Sequence, residues 1–219
     1  MTANEVITLA RLSELRQLSP TIRDDDAVII AFINLGLLEI YKRFMLKTDE
    51  ALVTLVDGKT IYSLDGTDSD VSMGAGDYLY LIAAYEETDS HDDYSMDDKI
   101  LPINVEDDIF SINTISYNQV QIPLITEGSV ISLIYAAKPT KVTSSNLNEE
   151  LDISDALIDP LLEYIGYKGY KSMGDKGQSE DDIYFMRFEK ACNRVKELGV
   201  AIAPDDVAMN DRLKNRNFV

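Results

Sequence analysis

The sequence predicts an α+β protein: a helical bundle of about four helices, an antiparallel β region inserted between the second and third helices, and an extended C-terminal tail. Three observations carry this. Apolar residues recur at helical spacing through residues 4–17 and 24–47, the period changes to two from Leu52, and helical spacing returns after Asp159–Pro160. The division that follows assigns residues 1–50 and 151–199 to the bundle, 51–150 to the inserted β domain and 200–219 to the tail.

Residues 4–17 place Val6, Leu9, Leu12 and Leu15 among Glu5, Arg11, Glu14 and Arg16, a narrow apolar stripe that stops before Ser19–Pro20. The stretch Asp24–Lys47 organises the rest. Asp24, Asp25 and Asp26 suit a helix N-terminus, where free backbone N–H groups favour anions, and Lys42, Arg43 and Lys47 suit the opposite end. One stripe runs through Ile29, Ile33, Gly36, Leu37, Ile40 and Phe44, and a second through Val28, Phe32 and Leu35, so this helix is expected to be packed on more than one side. Asn34, Glu39, Lys42 and Arg43 interrupt any window of the roughly 20 residues needed to cross a bilayer.

From Leu52, LVTLV, the turn pair Asp57–Gly58 and TIYSL read as a β-hairpin. Residues 65–77 are turn-rich, Tyr78–Tyr85 is a strand apolar enough for cover on both faces, and Glu86–Lys99 is a solvated acidic loop. Further strands are expected at 100–105, 110–117, 120–125 and 130–136, the last two joined at Glu127–Gly128, giving a small sandwich or a curled antiparallel sheet. Residues 139–150 are the return linker. In the third helix Leu162, Ile165, Gly166, Gly169, Tyr170 and Met173 share a face. Glycine destabilises a helix interior, so another backbone is expected close to Gly166 and Gly169, with Gly36 as a candidate opposite surface. Gly174 ends that helix. Ser179 and Asp182 are placed to cap a last one, whose stripe is Tyr184, Phe188, Ala191, Val195 and Leu198 before Gly199. Beyond Gly199 helical phase is lost.

With 39 acids against 20 bases the net charge is −19, which argues against a direct grip on nucleic acid or an anionic membrane, since phosphate binding draws on clustered Lys and Arg. The single cysteine, Cys192, falls in a helical pattern and reads as a small buried hydrophobe; it points to an intracellular origin. The start, MTANEVITLARLSELRQL, has no basic region followed by an apolar block, so neither signal peptide nor anchor is expected.

No catalytic constellation emerges, and the protein is not expected to be an enzyme. The only histidine, His91, is far in sequence from Cys192, and a nucleophile needs an adjacent base. His91 with Asp89, Asp92 and Asp93 matches no closed zinc site, and a hydrolase built on a metal there is the reading that His91→Ala tests. Asp65, Asp68 and Asp70 lack the ligand order and closing glutamate of a calcium loop. Gly74–Ala75–Gly76 lacks the helix and lysine of a phosphate loop. No cofactor or metal is expected. Tyr164, Tyr167, Tyr170 and Tyr184 suit either a rim between buried and wet surface or a subunit interface. A ligand- or carbohydrate-binding β module on a helical scaffold is an alternative, weakened by the absence of tryptophan.

FINLGLLEIYKRF (Phe32–Phe44), DGKTIYSL (Asp57–Leu64), EGSVISLIYAAKP (Glu127–Pro139), DPLLEYIGYKGYKSM and DDIYFMRFEKACNRVKEL follow one another in the order helix, β insertion, tyrosine-rich helix, final helix. In this order and spacing, over most of residues 20–199, the chain resembles the head-to-tail connector, or adaptor, proteins of tailed bacteriophages, which form the ring beneath the portal in podovirus-like particles. Asp65 stands where that family commonly has proline. The resemblance implies a structural virion protein at the head–tail interface, assembled in the host cytoplasm. It implies a homo-oligomeric ring, dodecameric in the family's pattern, that binds portal protein above and tail or nozzle proteins below. DNA passes through without specific binding, and no membrane is involved. It places portal contacts in the tail at Met209, Arg212, Leu213, Arg216, Phe218 and Val219, and subunit packing at Asn34, Gly36, Gly166, Gly169 and Tyr170. A neck, stopper or tail-completion protein that does not touch the portal is the alternative within structural proteins.

Overall fold

The computed structural model describes residues 1–74, 76–87, 99–123, 128–174 and 178–201. Helices flank antiparallel sheets, as the change of period predicts. Two compact units emerge: one from Met1–Leu46 with the chain from Pro139 onward, the other from Lys47–Lys138.

In the helical unit, α1 (Ala3–Leu12) opens on a capping box: the Glu5 backbone N–H donates to Thr2 Oγ1 and the Thr2 N–H donates to Glu5 Oε2 at 2.8 Å. Those bonds from Thr2 hold the Glu5 carboxyl below its ordinary range. The buried seam is Ala3, Val6, Ile7 and Ala10, not the stripe through Leu9 and Leu12, which face outward, Leu12 at 68% exposure. The helix stops at Leu12 and a turn then carries Leu15 and Leu18 into the core, so the leucine spacing marks two different directions of the chain. Ser19–Arg23 is not a plain break. Pro20 starts a single helical turn, α2 (Pro20–Arg23), and Arg11 holds its end by donating to the carbonyls of Arg23 (3.0 Å) and Asp24 (3.2 Å) and to Asp26 Oδ1 (2.5 Å).

Helix α3 (Asp26–Arg43) is capped by Asp25, whose carboxylate accepts from Ala27 N at 2.9 Å and Val28 N at 3.4 Å, and it ends with Lys42 and Arg43 at the negative pole. The first stripe, Ile29, Ile33, Gly36, Leu37, Ile40 and Phe44, is buried throughout. Within the described residues the second is not: Val28 and Phe32 are half-buried and Leu35 is 45% exposed. A 3-10 turn (Asp155–Leu157) leads into α4 (Ile158–Lys171), and α5 (Gln178–Glu197) packs along it. Gly174 and Gly199 follow these helices with φ of +64° and +66°, the left-handed geometry that terminates a helix. The proposed cap Ser179 belongs to a side chain outside the described set.

The glycines of α4 admit side chains, not the close backbone expected from the sequence. A Cβ on Gly166 would lie 2.6 Å from the Tyr184 ring, and one on Gly169 would lie 2.6 Å from Leu15 Cδ2 and 2.7 Å from Leu18 Cδ1. Gly36 of α3 likewise faces Leu161 at 2.6 Å and Tyr164 at 3.2 Å. Each missing side chain leaves room for a large one on the neighbouring segment, so the three glycines serve three different seams.

The β unit is a sandwich of two antiparallel sheets sharing one core. The first has order β3 (Val71–Ser72), β1 (Thr48–Thr54), β8 (Val130–Ala137), β4 (Tyr78–Glu87), β5 (Lys99–Leu101); the second has order β2 (Ile61–Ser63), β7 (Gln119–Gln121), β6 (Asn113–Ser116). The expected hairpin around Asp57–Gly58 does not form. β1 pairs with β3 and β8, β2 pairs with β7, and the turn, with Gly58 at φ +74°, carries the chain from one sheet to the other. The buried Tyr62 closes this crossover: its hydroxyl accepts from Val56 N (3.0 Å) and donates to Lys59 O (3.1 Å). β7 and β8, neighbours in sequence, likewise lie in different sheets. Strand β4 is buried at four consecutive positions from Ile82 to Tyr85, so both its faces are covered.

Packing at Gly166 yields a prediction. Alanine is intrinsically the better helix former by about 1 kcal/mol, yet its methyl would collide with the Tyr184 ring, itself stacked on Tyr170 with centroids 5.1 Å apart. Gly166→Ala is expected to lower stability by about 1–3 kcal/mol in urea unfolding, the cost of overpacking.

Candidate assembly interface

Asn34 shows how α3 is fastened. Its amide Oδ1 accepts from Val142 N (2.8 Å), and its Nδ2 donates to Val142 O (2.9 Å) and to Ile30 O (3.0 Å). The side chain thus acts as a strand partner for one residue 108 positions away, satisfying both backbone groups of the buried Val142. Two further α3 side chains reach past the insertion. Tyr41 Oη donates to Asp152 O at 2.5 Å, and burial drives its pKa upward. Arg43 makes a bidentate pair with Glu189 (2.7 and 2.5 Å) while its guanidinium lies 4.6 Å from the Phe188 ring centroid. Its Nε is buried without a hydrogen bond, 3.6 Å from Glu39 Oε1.

Two carboxylates in this unit behave oppositely. Hydrogen bonds from Arg43 hold Glu189 below the ordinary glutamate value, whereas burial holds Glu163 above it against the opposing charge of Arg187. Glu163 Oε2 is buried without a hydrogen-bond partner. Cys192 is buried and its thiol is pushed up to about 11 by that burial, which fits a core hydrophobe. The aromatic cluster runs along the α4–α5 seam, with Tyr164 edge-on to Phe188 (5.1 Å), Tyr167 against Phe185 (5.1 Å), and Lys168 and Lys171 over the Tyr167 ring. Tyr170 and Tyr164 are buried here; Tyr167 is at the rim.

The acids of 65–70 are occupied from within. Lys59 Nζ sits 2.6 Å from both Asp68 Oδ1 and Asp70 Oδ2, and Asp65 accepts from Thr67 and Asn118. Among the described residues no group of three or more His, Cys, Asp or Glu side chains could hold a metal, and no helix is long and apolar enough to cross a membrane. His91 and its acidic neighbours lie outside the described residues, as do Met209, Arg212, Leu213, Arg216, Phe218 and Val219. The structure therefore gathers Asn34, Gly36, Gly166, Gly169 and Tyr170 in one helical core, each facing a partner in the same chain. Sequence reasoning had no signal for Val142, Asp152 or Glu189 as the partners of α3, because each contact joins segments on either side of the insertion.

The chain matches the family model described as SU10 adaptor protein over residues 1–210. No curated protein matches it.

Asn34→Leu should cost about 2–4 kcal/mol, because it strips two buried backbone groups of their partners, and the loss is read as a lower urea midpoint with retained helical circular dichroism. For the carboxylates the signs differ. A raised folded pKa means stability that is full below the unfolded value and lost as pH rises through the folded one. Glu163→Gln is therefore expected to raise the unfolding midpoint at pH 7, the difference vanishing below about pH 4, where the carboxyl is protonated in both states. Glu189→Gln is expected to lower the unfolding free energy at pH 7 by up to about 1 kcal/mol, allowing for its partial exposure. That loss fades as pH falls through the depressed pKa of the carboxylate.

Proposed function

The chain belongs to the SU10 adaptor protein family, a family of phage adaptors, and from that premise we propose that its copies form a ring joining portal to tail in a podovirus-like particle. The ring, dodecameric in this reading, forms part of the DNA-ejection channel of the virion after assembly in the host cytoplasm. The match over nearly the whole chain is the observation that carries the reading. Two features of the chain support it. Helix α3 leaves Leu35 exposed and Val28 half-buried beside Phe32, which packs on its own core, and this apolar edge suits contact with another subunit. The net charge of −19 suits a conduit that repels the DNA backbone and lets it slide.

In this reading the protein works by binding, not catalysis. The C-terminal segment, with Met209, Leu213, Phe218 and Val219 as apolar anchors and Arg212 and Arg216 between them, docks on the portal. It would reach about 50–60 Å if extended at about 3.3 Å per residue.

Deleting residues 204–219 is expected to abolish co-sedimentation with portal rings while leaving the unfolding midpoint unchanged. Electron microscopy of the protein with and without portal rings is the companion measurement. Retained portal binding by the truncated chain would refute the tail's role, and attachment to tail components alone would move the protein to the neck or stopper position.

A further inference from the structure

The described surface holds two patches of opposite charge and similar apolar content. The first is the outward face of α5. At 100° per residue, Ile183, Met186, Arg187, Lys190 and Arg194 share one side of the helix. All are exposed, Met186 at 63% and Ile183 at 37%. From Ile183 to Arg194 this side carries no acid, and none of the three cations is within salt-bridge distance of a carboxylate among the described residues. Arg187 lies 5.3 Å over the Tyr184 ring. Three bases with no acid among them are unusual in a chain of net charge −19.

The second is the loop Val105–Phe110 of the β unit, VEDDIF, in a unit whose residues Lys47–Lys138 hold 18 acids against 4 bases. Its tip exposes Ile109 (67%) and Val105 (46%) beside the exposed acids Glu106 and Asp107. The loop is pinned from below. Ile103 and Ile112 form a bridge at its neck, and the fully buried Ser111 accepts from Val105 N at 2.9 Å. The Asp108 carboxylate caps Phe110 N at 2.8 Å, and Asn104 adopts φ 53° and accepts from Thr114 N at 2.7 Å. A loop held this way loses little freedom on binding, and an exposed branched apolar residue at its tip is an anchor without a pocket on its own unit.

We propose that the loop Val105–Phe110 of one copy docks on the outward face of α5 of the next copy. Glu106 and Asp107 meet Lys190, Arg194 and Arg187, and Ile109 packs against Met186 and Ile183. Opposite charge selects the partner and its orientation, and the apolar pair provides the buried centre. Because the two patches differ, the contact is head-to-tail, the kind that closes into a ring and does not stop at a dimer. The inference rests on the ring reading above and specifies one surface of it. The apolar content of the α5 face favours protein over nucleic acid as its occupant.

The test is a cross-link between chains. Ile109→Cys and Met186→Cys are made separately; the native Cys192 is buried and stays out of mild oxidation. The variants are mixed, alone and on portal rings, and oxidised with copper–phenanthroline. A disulfide-linked dimer is expected in the mixture and in neither variant alone. The double variant is expected to give a ladder of higher oligomers. Glu106→Lys with Asp107→Lys should abolish assembly, and adding Lys190→Glu with Arg194→Glu in the same chain should restore it. Rings that form without the 109–186 cross-link would overturn this docking and leave the ring reading standing. A protein that forms no rings with or without portal would overturn both. Duplex DNA bound by the wild type and released by Lys190→Glu with Arg194→Glu would also overturn the docking, assigning the face to nucleic acid.

Discussion

The helical core depends on holding α3 against segments that enter the fold only after the β insertion. Closing so long a loop is entropically unfavourable, though the cost rises only slowly with length. What matters is that the closing contacts be specific. Four positions on α3 supply them: Asn34 pairs with the Val142 backbone, Gly36 admits Leu161 and Tyr164, Tyr41 binds the Asp152 carbonyl, and Arg43 grips Glu189. The apolar stripe alone would let α4 slide or rotate; a bidentate amide and a notch at one glycine define a register.

Charge is distributed along the same division. In the helical unit, cations close structure: Arg11 ties α1 to α2 and α3, and Arg43 ties α3 to α5. In the β unit, one lysine, Lys59, neutralises two aspartates, while Asp65, Asp77 and Asp108 accept hydrogen bonds from uncharged groups. The proposed ring would have to hold proteins and release DNA, and a chain of net charge −19 with a local cationic face on α5 has the electrostatics for both.

Much of this was legible from residue order. The polarity of α3, its buried stripe, the helix-ending glycines and the position of the β region between helices follow from spacing and end chemistry. The pairing of strands did not. Asp57–Gly58 is the best local hairpin signal in the chain, yet its flanking strands enter different sheets. The buried Tyr62 hydroxyl satisfies the crossover locally, so the turn does not require its strands to pair. The outward turn of Leu9 and Leu12 was equally hidden, since the small residues Ala3 and Ala10 form the true seam of α1.

By itself, then, the sequence determined that a β region lies between helical segments and set the polarity and buried stripe of α3, because periodicity, caps and turn glycines act over a few residues; it did not set every boundary, since α1 stops at Leu12 and Pro20–Arg23 forms a turn of its own. Tertiary structure decided which strand lies beside which, which side chains fill the glycine notches, and that Asn34 serves the backbone of Val142. Those outcomes turn on competition among distant partners for the same buried groups, and no local pattern records who wins.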